Sequence, residues 1–182
     1  MNINVYTEST PNPATMKFIV NKLLINGSVD YATKESAEKS PFAKELYKFS
    51  FVNGVFFASN FVTVTKTEGS DWDDLLPILK EFVKGAVESE LKVQLEEQVE
   101  VDFEGTDAEK KIQQILQDYV RPAVEQDGGA ITYKSFNEGV VTVELRGSCS
   151  GCPSSTVTLK AGIENLLKRM VPEVTEVVSE AL

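Results

Sequence analysis

Cys149 and Cys152 are the only thiols in a chain of 182 residues that contains no histidine. Around them the sequence runs Gly147-Ser148-Cys149-Ser150-Gly151-Cys152-Pro153. Small residues between the sulfurs let both turn toward one point. Pro153, with the serines after it, suits the first turn of a helix. The sulfurs then sit near free backbone N–H groups and the positive end of a helix dipole, which favours thiolate, the form that ligates metal. Ser148, Ser150 and Gly151 shape the turn and direct N–H groups at sulfur. Without imidazole, Ser-His-Asp and Cys-His catalysis and every His-ligated zinc or haem site are excluded.

Three chemistries compete for this pair. Structural zinc sites and iron–sulfur clusters usually take four ligands, and one chain offers two. Ligand count therefore points to two chains meeting about a two-fold axis, each giving one pair. A cluster held by four thiolates is anionic, so two helix N-termini facing it would help to hold it. Zinc satisfies the same count. The third use is a thioredoxin-like dithiol, the common reading of such a motif in a cytosolic α/β chain. Chain order counts against it. Only 30 residues follow Cys152, enough for one helix and one strand. A turn flanked by glycine and proline is also a poor place for two inert packed cysteines.

The elements that position the pair follow from periodicity. Thr106 with Glu109 three residues on is a capping box. Ile112, Ile115, Leu116 and Tyr119 continue at helical spacing, Pro122 marks the last turns, and Asp127-Gly128-Gly129 ends the helix. Two strands, ITYKSF and VVTVEL, are joined by a hairpin turn at Asn137-Glu138-Gly139. After the cysteines, Leu159, Ile163, Leu166, Leu167 and Met170 form an amphipathic helix that Pro172 ends, and VTEVV closes the chain as a strand. The order over residues 107–182 is αββαβ.

Residues 1–88 form a second small α+β unit, roughly ββαββα. Strands are expected at residues 2–7 and 16–21, separated by the two prolines of TPNP at residues 10–13. Ser40-Pro41 starts a helix with Leu46 and Phe49 on its apolar face. Asn53-Gly54 is a turn before VFFAS and FVTVTK. Asp71 or Ser70 caps a last helix carrying Leu75, Leu79, Phe82 and Ala86. Phe49, Phe51, Phe56, Phe57 and Phe61 read as strand core, and Trp72 as a packing anchor. Asp118, Glu125 and Asp127 read as a solvated face.

Between the units, residues 89–106 carry one basic and six acidic side chains and read as an acidic linker. Leu91, Val93, Leu95, Val99, Val101 and Phe103 alternate with polar residues in a strand-like way.

Composition narrows the function classes. Eighteen basic against 28 acidic residues give a net charge of −10. An acidic chain repels a phosphate backbone, so nucleic acid and anionic membranes are poor partners. The longest uncharged run, residues 49–65, is too short and polar to span a bilayer. No basic-then-apolar leader is visible, and two thiols this close are not a secreted disulfide framework, so a reducing cytoplasm is expected.

Two longer stretches carry a resemblance. RPAVEQDGGAITY, followed by VVTVELRGSCSGCPSSTVTLKAGIENLLKRMVPEV, is similar to the C-terminal NifU-like domain of Nfu-type iron–sulfur cluster proteins. TPNPATMKF, SPFAKELYKF, GVFFASNFVTVTK and Asp71-Trp72 resemble the domain that precedes it in many members. The resemblance implies that Cys149 and Cys152 ligate a cluster, most often [4Fe–4S], shared by the two subunits of a homodimer. It implies a carrier or scaffold that receives the cluster from a donor and passes it to client apoproteins, without catalysis. The acidic stretch at residues 89–106 has no counterpart in it.

Overall fold

A computed structural model describes residues 2–94, 105–149 and 153–181, with the side chains of 153–156 and 181 outside the description. The chain divides into two compact units, Met1–Glu97 and Gln98–Leu182.

The first unit is a five-stranded antiparallel sheet with helices against it. Its strands are β1 (Val5–Ser9), β2 (Thr15–Val20), β3 (Ser28–Tyr31), β4 (Val52–Ala58) and β5 (Phe61–Lys66), in the spatial order β1-β2-β5-β4-β3. Alternation places Phe18, Val20, Val55, Phe57, Val62 and Val64 in one core with α1 (Pro41–Leu46) and α2 (Trp72–Glu88). Ser40 caps α1 by accepting a hydrogen bond from the Ala43 N–H at 3.0 Å, and Asp71 caps α2 through the Asp73 N–H at 3.1 Å. Trp72 is the expected anchor: its indole N–H donates to the Pro13 carbonyl at 2.9 Å and ties α2 to the proline turn.

Four features depart from the sequence reading. Asn53-Gly54 lies inside β4, at a register irregularity between Val52 and Gly54, and is not a turn before the strand. β3 adds a strand to the expected ββαββα order. It is a four-residue edge strand carrying Asp30, too short and polar to show alternation. Phe49 and Phe51 lie in the turn between α1 and β4, not in strands. Their rings stack at 5.2 Å, and Phe49 meets Phe82 of α2 edge-on. The packing of the first unit also runs past Glu88. Val93 is buried, its carbonyl accepts from the Tyr31 hydroxyl at 3.0 Å, and the Lys92 carbonyl accepts from the Phe42 N–H at 3.1 Å. The rest of the alternating stretch, residues 95–104, lies outside the described residues.

The second unit is α+β as expected. Its three-stranded sheet has the order β6-β7-β8, formed by β6 (Gly129–Asn137), β7 (Val140–Gly147) and β8 (Glu176–Ala181). β6 and β7 are an antiparallel hairpin, whereas β8 runs parallel to β7. A parallel return needs a crossover, and α5 (Pro153–Met170) supplies it. Val141, Val143 and Leu145 on the central strand pack with Ile163 and Leu167 of α5 and with Ile112, Leu116, Val120 and Val124.

Those last four come from one helical run with an interruption. α3 (Asp107–Ile115) starts at the predicted capping box: the Glu109 carboxylate accepts from the Thr106 N–H at 2.7 Å, and the Thr106 hydroxyl accepts from the Glu109 N–H at 3.4 Å. A π turn follows over Leu116–Val120, closed by the Arg121 N–H donating to the Leu116 carbonyl, and then α4 (Arg121–Gln126). Pro122 has no N–H to give the preceding turn, and the widened turn just before it accommodates that loss.

Candidate metal centre

β7 and α5 deliver the thiol segment. Gly147, with φ +65°, ends β7, and Ser148 and Cys149 follow. Cys149 is 6% exposed and packs with the core of its unit. Ser150, Gly151 and Cys152 lie outside the described residues, and α5 begins at Pro153. One member of the pair is thus placed at a strand end, four positions before the start of a helix.

A second turn closes over it. α4 ends at Asp127, whose N–H donates to the Ala123 carbonyl at 3.2 Å, while the Gly128 N–H donates to the Glu125 carbonyl at 3.0 Å. Gly128 takes φ +81°, the left-handed conformation that stops a helix cheaply. The chain then enters β6 at Gly129, which pairs with Gly147 across the hairpin. Two hydrogen bonds join this turn to the thiol segment. The Ser148 N–H donates to the Gly128 carbonyl at 3.3 Å, and the Ser148 hydroxyl donates to the Asp127 carbonyl.

The contact between the two turns is close. A Cβ built on Gly129 would stand 2.7 Å from Cys149 Sγ, 3.2 Å from Cys149 Cβ and 2.7 Å from the Arg146 carbonyl oxygen. No side chain fits at position 129 unless both the thiol and the strand shift. Asp127-Gly128-Gly129 therefore does more than end a helix. One left-handed glycine suffices for that task, and the second is the surplus in the sequence that marks a close approach.

The other candidate groups do not assemble. Among the described residues no cluster of three or more His, Cys, Asp or Glu side chains is placed to hold a metal. Glu125 is engaged by the Arg121 guanidinium at 2.7 Å, in line with a solvated face. Elsewhere in the unit, Glu109 accepts from the Tyr133 hydroxyl at 3.0 Å. Hydrogen bonds from the Thr106 backbone and side chain, then from Tyr133, hold its carboxyl below the usual range. Among the described residues no helix is long and apolar enough to cross a membrane.

Comparison with known proteins places this architecture. A model described as the NifU-like domain matches residues 112–178, and one described as the scaffold protein Nfu/NifU N terminal matches residues 5–90. The human NFU1 iron-sulfur cluster scaffold homolog, mitochondrial, is 38% identical over 175 residues, covering 93% of this chain and 69% of the relative. NifU-like protein 4, mitochondrial, from Arabidopsis thaliana is 40% identical over 185 residues, covering 97% and 65%. The NFU1 scaffold homolog of Drosophila erecta is 37% identical over 179 residues, covering 95% and 63%. The chain thus spans about two thirds of the length of these relatives.

These names overturn the expected cytoplasmic compartment, since the relatives are named mitochondrial. A pair of adjacent thiols fits any reducing compartment and does not single out the cytosol. Two thirds or more of the human scaffold homolog is matched at 38% identity, and both domain models fall in the same order along the sequence. The chain belongs to the Nfu/NifU-like family.

Proposed function

We propose that the protein is a non-catalytic iron–sulfur cluster scaffold and carrier. Cys149 and Cys152 of two chains supply four thiolates to one [4Fe–4S] cluster, which is cargo and not a resident cofactor. Cys149 seated between β7 and α5, in a chain with no other thiol pair and no imidazole, carries the reading. The names of the relatives support the cluster chemistry. Handover is ligand exchange. A thiolate of the client donates its electron pair to an iron atom, the iron–sulfur bond to one scaffold cysteine breaks, and that cysteine leaves with the pair and takes up a proton. Cluster oxidation state does not change. Residues 1–88 recognise partners, and the acidic stretch beyond Val93 tethers the two units.

Anaerobic reconstitution of reduced protein, with iron, sulfide and molecular mass measured together, is the test. One [4Fe–4S] cluster per two chains is the expected result, with dimerisation rising with cluster loading as mass action requires. A single chain that holds the full cluster without added thiol defeats the two-chain reading. Zinc without sulfide in freshly isolated protein makes it a zinc-bridged dimer. Rapid disulfide turnover by metal-free monomer makes it a dithiol oxidoreductase.

A further inference from the structure

The second glycine of the Asp127-Gly128-Gly129 turn is explained neither by the helix end, which Gly128 supplies, nor by the hairpin pairing, which any residue makes. What requires it is the space it leaves. A Cβ there would collide on two sides at once, with a backbone oxygen of β7 and with Cys149 Sγ, each at 2.7 Å. The Arg146 carbonyl belongs to the central strand, paired through Gly129↔Gly147 and Ala130↔Arg146, and yields only with a shift of the hairpin end. The sulfur hangs on a single rotatable bond and is the softer obstacle. Side-chain bulk at 129 is therefore met on both sides, by a local shift at the hairpin end and by turning Cys149 about its Cα–Cβ bond, away from its present direction.

We propose that Gly129 is a positioning residue for Cys149. Its bare Cα forms the wall against which the sulfur rests, and the Ser148 hydroxyl on the Asp127 carbonyl holds that wall in place. The inference rests on Cys149 being a cluster ligand, but its geometric part does not. Ligand direction must hold within about 0.5 Å for a preorganised site to bind well, and the rotation that clears a 2.7 Å contact exceeds that tolerance. The wall also shields the thiol on one side, so the metal-free protein should react slowly at Cys149.

The experiment uses the full chain with Gly129→Ala, Ser148→Ala and, as control, Gly162→Ala, where a Cβ meets nothing within 4 Å. Site-resolved iodoacetamide labelling of the reduced metal-free protein is read first. Cluster retention and visible circular dichroism are read after anaerobic reconstitution. Gly129→Ala should keep the far-ultraviolet spectrum, label severalfold faster at Cys149, retain the cluster about 10- to 100-fold less well, and change the visible dichroism of what it holds. Ser148→Ala should move each readout the same way by less, and Gly162→Ala should match the wild type. Gly129→Ala with unchanged labelling, retention and dichroism overturns the inference. If Gly129→Ala does not fold, Ser148→Ala decides, and wild-type behaviour there overturns it equally. A wild-type protein that never takes up a cluster removes the functional reading, while the labelling comparison still decides the positioning.

Discussion

Replacing Cys149 by alanine separates ligation from packing, because the residue sits in the core of its unit and is also the proposed ligand. The packing cost can be worked out. Alanine removes one sulfur, a group close to a methylene in size, whose burial contributes about 0.8 kcal/mol. The cavity left is roughly 20 Å³, which at about 24 cal/mol per Å³ adds about 0.5 kcal/mol. The metal-free variant should therefore lose about 1 kcal/mol in urea unfolding, or about 4–8 °C in melting temperature for a unit of this size. Cluster uptake should fall to background. The assay is denaturant unfolding of the reduced, metal-free protein beside anaerobic reconstitution of the same preparation. A loss of more than about 3 kcal/mol would place Cys149 with the large core side chains and make packing its main role. Full cluster content in the variant would remove it from the ligand set.

Two further outcomes follow from titrating groups. Glu109 has its folded pKa lowered, so the stability it contributes is present above the ordinary glutamate pKa of about 4.3 and is lost as the pH falls through the lowered folded value. Glu109→Gln should lower the melting temperature at neutral pH and flatten its acid limb, so that the two curves converge as the pH falls, and parallel acid limbs would refute the assignment. Tyr47 has the opposite sign. Burial first, then the charges of Asp30 and Glu35, raise its pKa, and its hydroxyl donates to the Tyr31 carbonyl at 2.7 Å. Its contribution is complete below the ordinary tyrosine pKa of about 10 and is lost as the pH rises beyond it. Tyr47→Phe should cost about 1 kcal/mol at neutral pH for the lost hydrogen bond and fall less steeply than wild type in alkaline unfolding, and an equally steep fall would count against it.

What could be read from the sequence follows the range of the forces involved. α5 was legible because Leu159, Ile163, Leu166, Leu167 and Met170 repeat on one face of an eighteen-residue helix, and the caps at Ser40, Asp71 and Thr106 because a cap is settled within four residues. β3 was not, since an edge strand of four residues owes its existence to the Tyr31↔Val55 pairing with β4, which no local pattern encodes. Val93 is a similar case. It lies in an acidic stretch that looks solvated, yet the Tyr31 hydroxyl, 62 positions away, fixes its carbonyl.

The candidate metal centre divides along the same line. The thiols declare themselves by type and spacing, whereas Gly129 becomes part of the site only when the hairpin sets it opposite Gly147 and brings its Cα against Cys149. The glycine pair was visible, and half of it had a sufficient local explanation. The unexplained half was the signal. Of two adjacent glycines, only Gly128 carries the left-handed φ that requires glycine, so the other must answer to a neighbour far along the chain. The Arg146 carbonyl and the Cys149 sulfur both come that close, which makes the helix-ending turn and the cysteine turn a single structural unit joined by Ser148.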